Sequence, residues 1–353
     1  MQKKIILSRT VNEYTGAIHN HSKYSKDGRI ELKEIVQTAQ HHKLDYLTIN
    51  DHNNKDVLKD SYYERALKKI LLIVGVEVND NEDNHHLLVF NHDKIVSNTE
   101  AINYIRYYAR TEAVTFAAHP NERRISQQFR KYEWLDRNLT DFNGVEIWNY
   151  SSSWLGKVKP LLNGLLCVFF PGLYIRKPLR KNLKFWDNLN LSNQRKSAIA
   201  STDAHDILRK WGPFTFRVLS FKSLFKALRT NVLLPEDMPF TEKNVLNALQ
   251  KGHSYICNYL LGKPWNFYAA IDNGEGITAI FGDEIVLSSE MKFYYNLSMV
   301  SDVYLYYNGK RIDHHHQKNG FFKINEAGFY RLEISRYRYG WIYTNPIYVL
   351  PFQ

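Results

Sequence analysis

Five short apolar runs in the first 205 residues end at or within a residue of histidine or an acid. His19 and His21 close TGAIHNH (15–21), and Asp51 and His52 close LDYLTINDH (44–52). Glu77 nearly closes LLIVGVEV (71–78), His119 closes AVTFAAHP (113–120), and Asp203 and His205 close SAIASTDAH (197–205). Their length and their β-branched and aromatic content read as buried strands, as do HLLVF (86–90), GVEIWN (144–149) and FRVLSF (216–221). Helical patterns fall between them. Leu32, Ile35, Val36 and Ala39 share one face of 31–44, and Ile102, Ile105 and Ala109 share one face of 99–110. Strands alternating with helices imply parallel pairing in an α/β layer or barrel. The strand C-termini of such a barrel converge on one mouth. Imidazoles and carboxylates gathered there are costly unless cations neutralise the acids, so the pattern calls for bound metal. His19-x-His21 and Asp203-x-His205 strengthen this, because residues two apart on an extended segment face the same way.

Beyond about residue 262 the helical period disappears. Segments 292–299, 302–308, 328–335 and 341–349 alternate or run aromatic, with a hairpin-type Asn308-Gly309 turn after the second. The expected division is a barrel over 1–230, a helical connector over 231–262 and a β-sandwich-like domain over 263–353. Two cysteines, Cys167 and Cys257, cannot build a disulfide framework, and Met1–Tyr14 lacks the apolar core of a signal peptide. The expectation is a cytoplasmic protein. Net charge is 47 − 36 = +11, but seven of those charges lie between Lys157 and Lys184, where no acid occurs. A charge confined to one partly apolar segment argues against a nucleic-acid groove.

HNHSKYSKDG (19–28), NDH (50–52), GVEV (75–78), HLLVF (86–90), AAHP (117–120) and STDAH (201–205), in this order, resemble the metal motifs of the PHP superfamily, named for polymerase and histidinol phosphatase. The resemblance spans about residues 15–222. GVEIWNYSSSW (144–154), ALQKGHSYI (248–256) and GWIYTNPIYV (340–349) are similar to a branch of PHP metallohydrolases related to carbaryl hydrolase. The resemblance implies a distorted (β/α)7 barrel holding two or three divalent transition metals, Zn, Mn or Fe. It implies that His19, His21, Glu77 and Asp203 hold one ion, that Glu77 bridges to a second held by His86 and His119, and that Asp27, His52 and His205 hold a third. His86 is preferred to His85 because it directly precedes LLVF. Asp27 stands where some members have histidine. Glu77 and Asp203 are then catalytic as ligands, and Asp51, beside His52, as an outer residue that orients a ligand.

Other residues carry paired readings. Glu146 is either a hydrogen-bonded rim carboxylate or a substrate contact. Arg123 and Arg124 are candidates for binding a small anionic substrate, with solvated surface arginines as the alternative. His41 and His42 suit a helix C-terminus, and His314, His315 and His316 a polar stretch near the turn. Segment 157–184, with its apolar centre 161–175, reads as a lid or packed insertion, and alternatively as a surface-seeking amphipath in peripheral contact with a membrane. The implied function is metal-dependent hydrolysis of a small phosphomonoester by a hydroxide bridging the metals. The alternatives are carbamate, ester or amide hydrolysis at the same centre, a nucleic-acid exonuclease, and a non-catalytic membrane-surface binding protein. Oligomeric state has no sequence signal.

Overall fold

A computed structural model describes residues 1–159, 166, 170, 172, 174–211 and 214–352. The chain forms two compact units, one of residues 15–183 and 200–229, the other of 1–14, 184–199 and 230–353. This corrects the expected segments. Residues 1–14 belong with the C-terminal strands because Ile6 and Val11 are buried in the same core as Phe293, Leu305 and Trp341. Residues 231–262 are part of that unit too, since Leu233, Tyr255 and Cys257 lie in this core. The apolar centre of the insertion lies largely outside the described residues. Among the described residues, no helix is long and apolar enough to cross a membrane.

The elements begin with β1 (Gln2–Ile6), β2 (Arg9–Ala17), α1 (Leu32–His41), β3 (Tyr46–Ile49), α2 (Tyr63–Leu67), β4 (Leu71–Val74) and β5 (Val76–Val78). They continue with β6 (Leu87–Phe90), α3 (Ala101–Ala109), β7 (Val114–Ala117), β8 (Gly144–Asn149), α4 (Tyr150–Leu155) and β9 (Ser197–Ser201). The expected strands are therefore present. β2, β3 and β4 pair in parallel, and the order β5-β6-β7-β8-β9 forms a second sheet. Parallel bridges His52/Glu77 and Asn20/Ala204 link the two sets, so pairing passes in a ring through all of them.

The regular (β/α)7 alternation is interrupted on one side. No helix separates β4, β5 and β6, and β6 runs antiparallel to both β5 and β7. Gly75 makes the bend between β4 and β5 possible, because a Cβ there would lie 2.5 Å from the Val89 carbonyl oxygen. Asp80 then closes the tight return to β6 by accepting from the backbone N–H groups of Glu82 and Asn84. α1 buries Leu32, Ile35, Val36 and Ala39 as expected. α3 instead buries Ala101, Tyr104, Ile105 and Tyr108, which turns the predicted stripe of Ile102, Ile105 and Ala109 aside. Tyrosine carries an apolar ring with a polar tip, and the Tyr104 hydroxyl finds the His85 carbonyl at 2.6 Å.

In the second unit, β1 and the start of β2 make a hairpin. β10 (Ile207–Trp211) and β11 (Phe214–Val218) pair antiparallel within the first unit, and after them come β12 (Leu228–Pro235), a helix Glu242–Lys251 and β13 (Ser254–Asn258). Then follow β14 (Tyr268–Asp272), β15 (Thr278–Ala279), β16 (Glu284–Val286), β17 (Lys292–Tyr307), β18 (Lys310–Lys323), β19 (Gly328–Arg336), β20 (Tyr339–Thr344) and β21 (Ile347–Leu350). β17 is one strand with a register shift between Asn296 and Ser301, where the sequence suggested two. Asn308 and Gly309, with φ of 48° and 73°, form the expected tight turn. His314, His315 and His316, the polar stretch near the turn, lie within β18. β19 divides its ladder between β20 and β21, so hydrogen bonding is continuous across this β-rich region.

Arg331 on β19 locks the helix Arg180–Leu191 in place. Its guanidinium meets both Asp187 oxygens at 2.8 Å and Glu333 at 2.7 Å, with its centre 4.3 Å from the Tyr306 ring and 5.1 Å from the Trp186 ring. Breaking a buried pair from one side leaves an uncompensated charge. Arg331→Ala is expected to cost about 3–5 kcal/mol in urea unfolding, and a loss below about 1 kcal/mol would contradict the clamp.

Candidate metal centre

Glu77, on β5, is 1% exposed and stands among five imidazoles. Its Oε1 lies 2.7 Å from His86 Nδ1 and 3.2 Å from His119 Nε2. Its Oε2 lies 3.1 Å from His19 Nε2, 3.3 Å from His21 Nε2 and 3.4 Å from His52 Nδ1. Asp203 Oδ1 is 3.6, 3.4 and 3.4 Å from His19, His21 and His205. On the outer side, Asp27 Oδ2 lies 3.3 Å from His52 and 3.1 Å from His205. All nine residues expected as ligands therefore meet in one place. Three overlapping groups of ligand atoms result: His21, Asp27, His52 and His205; His19, His21 and Asp203; and His52, Glu77 and His86.

The rings are held from behind. His19 Nδ1 pairs with Glu146 at 2.9 Å and His21 Nδ1 with the Ser25 hydroxyl at 3.1 Å. His86 Nε2 reaches the Asp83 carbonyl at 3.3 Å, His119 Nδ1 the Tyr132 carbonyl at 3.2 Å, and His205 Nδ1 the Asp203 carbonyl at 2.9 Å. Carbonyl and carboxylate oxygens only accept, so at these rings the outer nitrogen carries the proton. In the neutral ring the inner nitrogen then presents a lone pair to a carboxylate oxygen. Two lone pairs facing each other require a cation between them, either a proton or a metal ion.

Two observations agree with this demand. His19 Nε2, His21 Nε2 and His52 Nδ1 are buried without a hydrogen-bond partner, although each is near Glu77. These atoms and the carboxylates are arranged as co-ligands of an ion, so the residues fit the divalent metals that the sequence implies. Electrostatics say the same. Burial alone would lower the His21 imidazole, but the carboxylates of Asp203 and Glu77 beside it push it up to about 9. Burial opposes protonation of His86 too, yet Glu77 and Asp83 push it up to about 10. Burial would raise Glu77 and Asp203, but the surrounding imidazoles hold both carboxyls well below the ordinary range.

The backbone is strained at the same points. His19, His119 and Asp203 have φ of 64°, 28° and 50°, a region that costs residues with a Cβ about 1–3 kcal/mol each. His85 lies outside the cluster. Its Nδ1 meets Asp80 at 2.6 Å, and its Nε2 accepts from the backbone N–H groups of Leu135 and Asp136. Asp51 also stays out of direct reach. Both its oxygens accept from Ser22, at 2.6 Å, which fixes the turn between His21 and Ser25.

A cavity of about 220 Å³ opens onto Glu77, His86, His119, Asp203 and His205, with Lys26, Arg124, Tyr132, Ser151, Leu155 and Leu219 on its walls. The arginine expectations need correction. Arg123 is exposed and does not line the cavity. Arg124 lines it, but its guanidinium is occupied by Glu122 at 2.5 Å and by the carbonyls of Arg123 and Arg130. Glu122 in turn accepts from the Ser152 hydroxyl and the Tyr132 N–H, which builds the wall rather than binding substrate. Lys26, within HNHSKYSKDG but not singled out there, lines the cavity 3.2 Å from Asp83. Of the two readings of Glu146, the hydrogen-bonded carboxylate holds and the substrate contact does not, since it is buried behind His19 and does not line the cavity.

The opposite orientations of His85 and His86 predict that His86→Ala strips metal while His85→Ala leaves metal content unchanged, read by elemental analysis after reconstitution. Metal loss in His85→Ala alone would reverse the assignment. A second expectation concerns pH. Imidazoles raised on folding stabilise the protein fully below 6.5, and that contribution is lost as pH rises through about 9 for His21 and about 10 for His86. His52, lowered by burial, opposes this only at the acidic end. The urea midpoint of metal-free protein should therefore fall across alkaline pH while that of zinc-loaded protein holds. Equal falls in both would show that these histidines are not responsible.

No curated protein matches the chain. Among solved structures it is similar to PsfC from Pseudomonas syringae, at 14% identity and a TM-score of 0.43, covering 68% of this chain and 90% of that one. It is also similar to a Bifidobacterium adolescentis protein provisionally named a metal-dependent phosphoesterase, at 13% identity and a TM-score of 0.34, covering 54% and 87%. The family described as the PHP domain matches residues 17–141, the stretch that supplies seven of the nine clustered residues.

Proposed function

We propose that this protein is a metal-dependent hydrolase acting on a small phosphomonoester. The observation that carries the reading is the set of three buried imidazole nitrogens without hydrogen-bond partners, aimed at the Glu77 carboxylate. In this reading His19, His21, Glu77 and Asp203 hold one ion, Glu77 with His86 and His119 a second, and Asp27, His52 and His205 a third. His52 stands between the second and third groups, with one ring nitrogen toward Glu77 and the other toward Asp27. Bound divalent ions would make a water acidic enough to attack phosphorus at neutral pH and would neutralise the charge that develops.

The chain's own residues supply the rest. Glu77 and Asp203 remain ionised because imidazoles surround them. Lys26 is placed at the mouth to meet an anionic substrate, and Tyr132, Leu155 and Leu219 give the cavity an apolar wall for the leaving group. A cavity of about 220 Å³ suits a small substrate rather than a polymer. The resemblance of GVEIWNYSSSW, ALQKGHSYI and GWIYTNPIYV to metallohydrolases related to carbaryl hydrolase makes carbamates the substrates to test against. Hydrolysis of phosphomonoesters, phosphodiesters and carbamates should be compared in metal-loaded protein. The expected result is phosphomonoester turnover that chelator reduces to background and added metal restores. Turnover of carbamates alone would overturn the substrate assignment, and turnover insensitive to chelator would overturn the metal reading.

A further inference from the structure

Four of the five ring anchors are neutral: one hydroxyl and three backbone carbonyls. The fifth is a carboxylate. Glu146, on β8, is fully buried and takes the Nδ1 proton of His19 on Oε1. Its Oε2 accepts the backbone N–H of His119 at 2.7 Å and the Asn149 amide at 2.9 Å. The same Asn149 nitrogen reaches Asp203 Oδ2 at 3.2 Å, while Asp203 Oδ1 faces the rings. Asn149 is itself immobilised, because its Oδ1 caps α4 by accepting the Ser152 N–H at 2.8 Å. Two neighbouring side chains thus touch His19, His119 and Asp203, the three clustered residues with left-handed backbone.

We propose that Glu146 and Asn149 are a positioning pair that makes the His19/His21/Asp203 position the tightest of the metal sites and so sets the order of loading. This rests on the metal reading above. A carboxylate behind an imidazole fixes the tautomer with its lone pair on Nε2 and makes the ring a stronger donor than a carbonyl does. Asn149 engages one oxygen of Asp203 and leaves the other free for the ion. At the remaining positions the one carboxylate behind a ring is Asp83, whose Oδ1 is 3.5 Å from His86 Nε2, part-exposed and shared with Lys26, against 2.9 Å for the fully buried Glu146, so among the described residues those positions bind more weakly.

The test is cobalt(II) titration of metal-free protein, followed by visible absorbance and calorimetry. Wild type should show one tight equivalent and one or two weaker ones. Glu146→Gln keeps the shape and removes the charge. It should weaken the first equivalent by about 10–100-fold, shift its absorbance band and leave the weaker equivalents in place. Asn149→Asp keeps the helix cap but sets a third carboxylate against Glu146 and Asp203, and it should weaken the same equivalent. An unchanged first equivalent in both variants would overturn the proposal. Equal weakening of all equivalents, accompanied by a lower unfolding midpoint of the metal-free protein, would also overturn it by showing a purely structural role. Failure of wild type to bind cobalt would instead overturn the metal reading on which this one stands.

Discussion

The carboxylate of Glu77 is the constraint around which this protein is organised. A buried, ionised carboxyl is costly unless charge of opposite sign surrounds it closely. Five imidazoles supply that surround, and they come from the ends of β2, β3 and β7 and the start of β6. Four of these rings, and His205 beside them, are turned inward by an acceptor behind them, which explains why so much of the buried polarity serves the cluster. Ser25, Glu146 and the carbonyls of Asp83, Tyr132 and Asp203 have this one task in common. Left-handed backbone at His19, His119 and Asp203 shows that the site is held against local preference by its surroundings.

A second buried ion cluster in the same chain shows by contrast why this one reads as a ligand set. Around Arg331, the two carboxylates of Asp187 and Glu333 face guanidinium N–H groups at hydrogen-bond distance, and two aromatic rings cover its faces. Donor and acceptor are matched, and nothing further is needed. The same closure holds for Arg124 and Glu122 at the cavity wall. At Glu77 the matching fails by design of the rings. Acceptor faces acceptor, three nitrogens stay without a partner, and the balance is made only by an added cation.

The ring anchors were illegible in the sequence for a physical reason. Backbone carbonyls of Asp83 and Tyr132 carry no residue signature, and Ser25 is one serine among many. Glu146 was visible as an acid at a strand end, but its role depends on facing His19 across 127 residues of chain. Arg124 sits beside a candidate ligand in sequence, and only its packing against Glu122 shows that its donors are spent.

The clustered residues themselves were legible locally. A strand alternates its side chains and ends where a polar residue can turn out of the sheet, so imidazoles and acids at run ends already located the mouth. The Asn308-Gly309 turn was likewise fixed by φ preferences of two residues. Tertiary structure decided what depends on partners far along the chain. The antiparallel β6, the burial of Tyr104 rather than Ile102, and the union of residues 1–14 with the C-terminal core all follow from which apolar surfaces meet. No local propensity encodes that choice, because burial is shared between surfaces and belongs to neither segment alone.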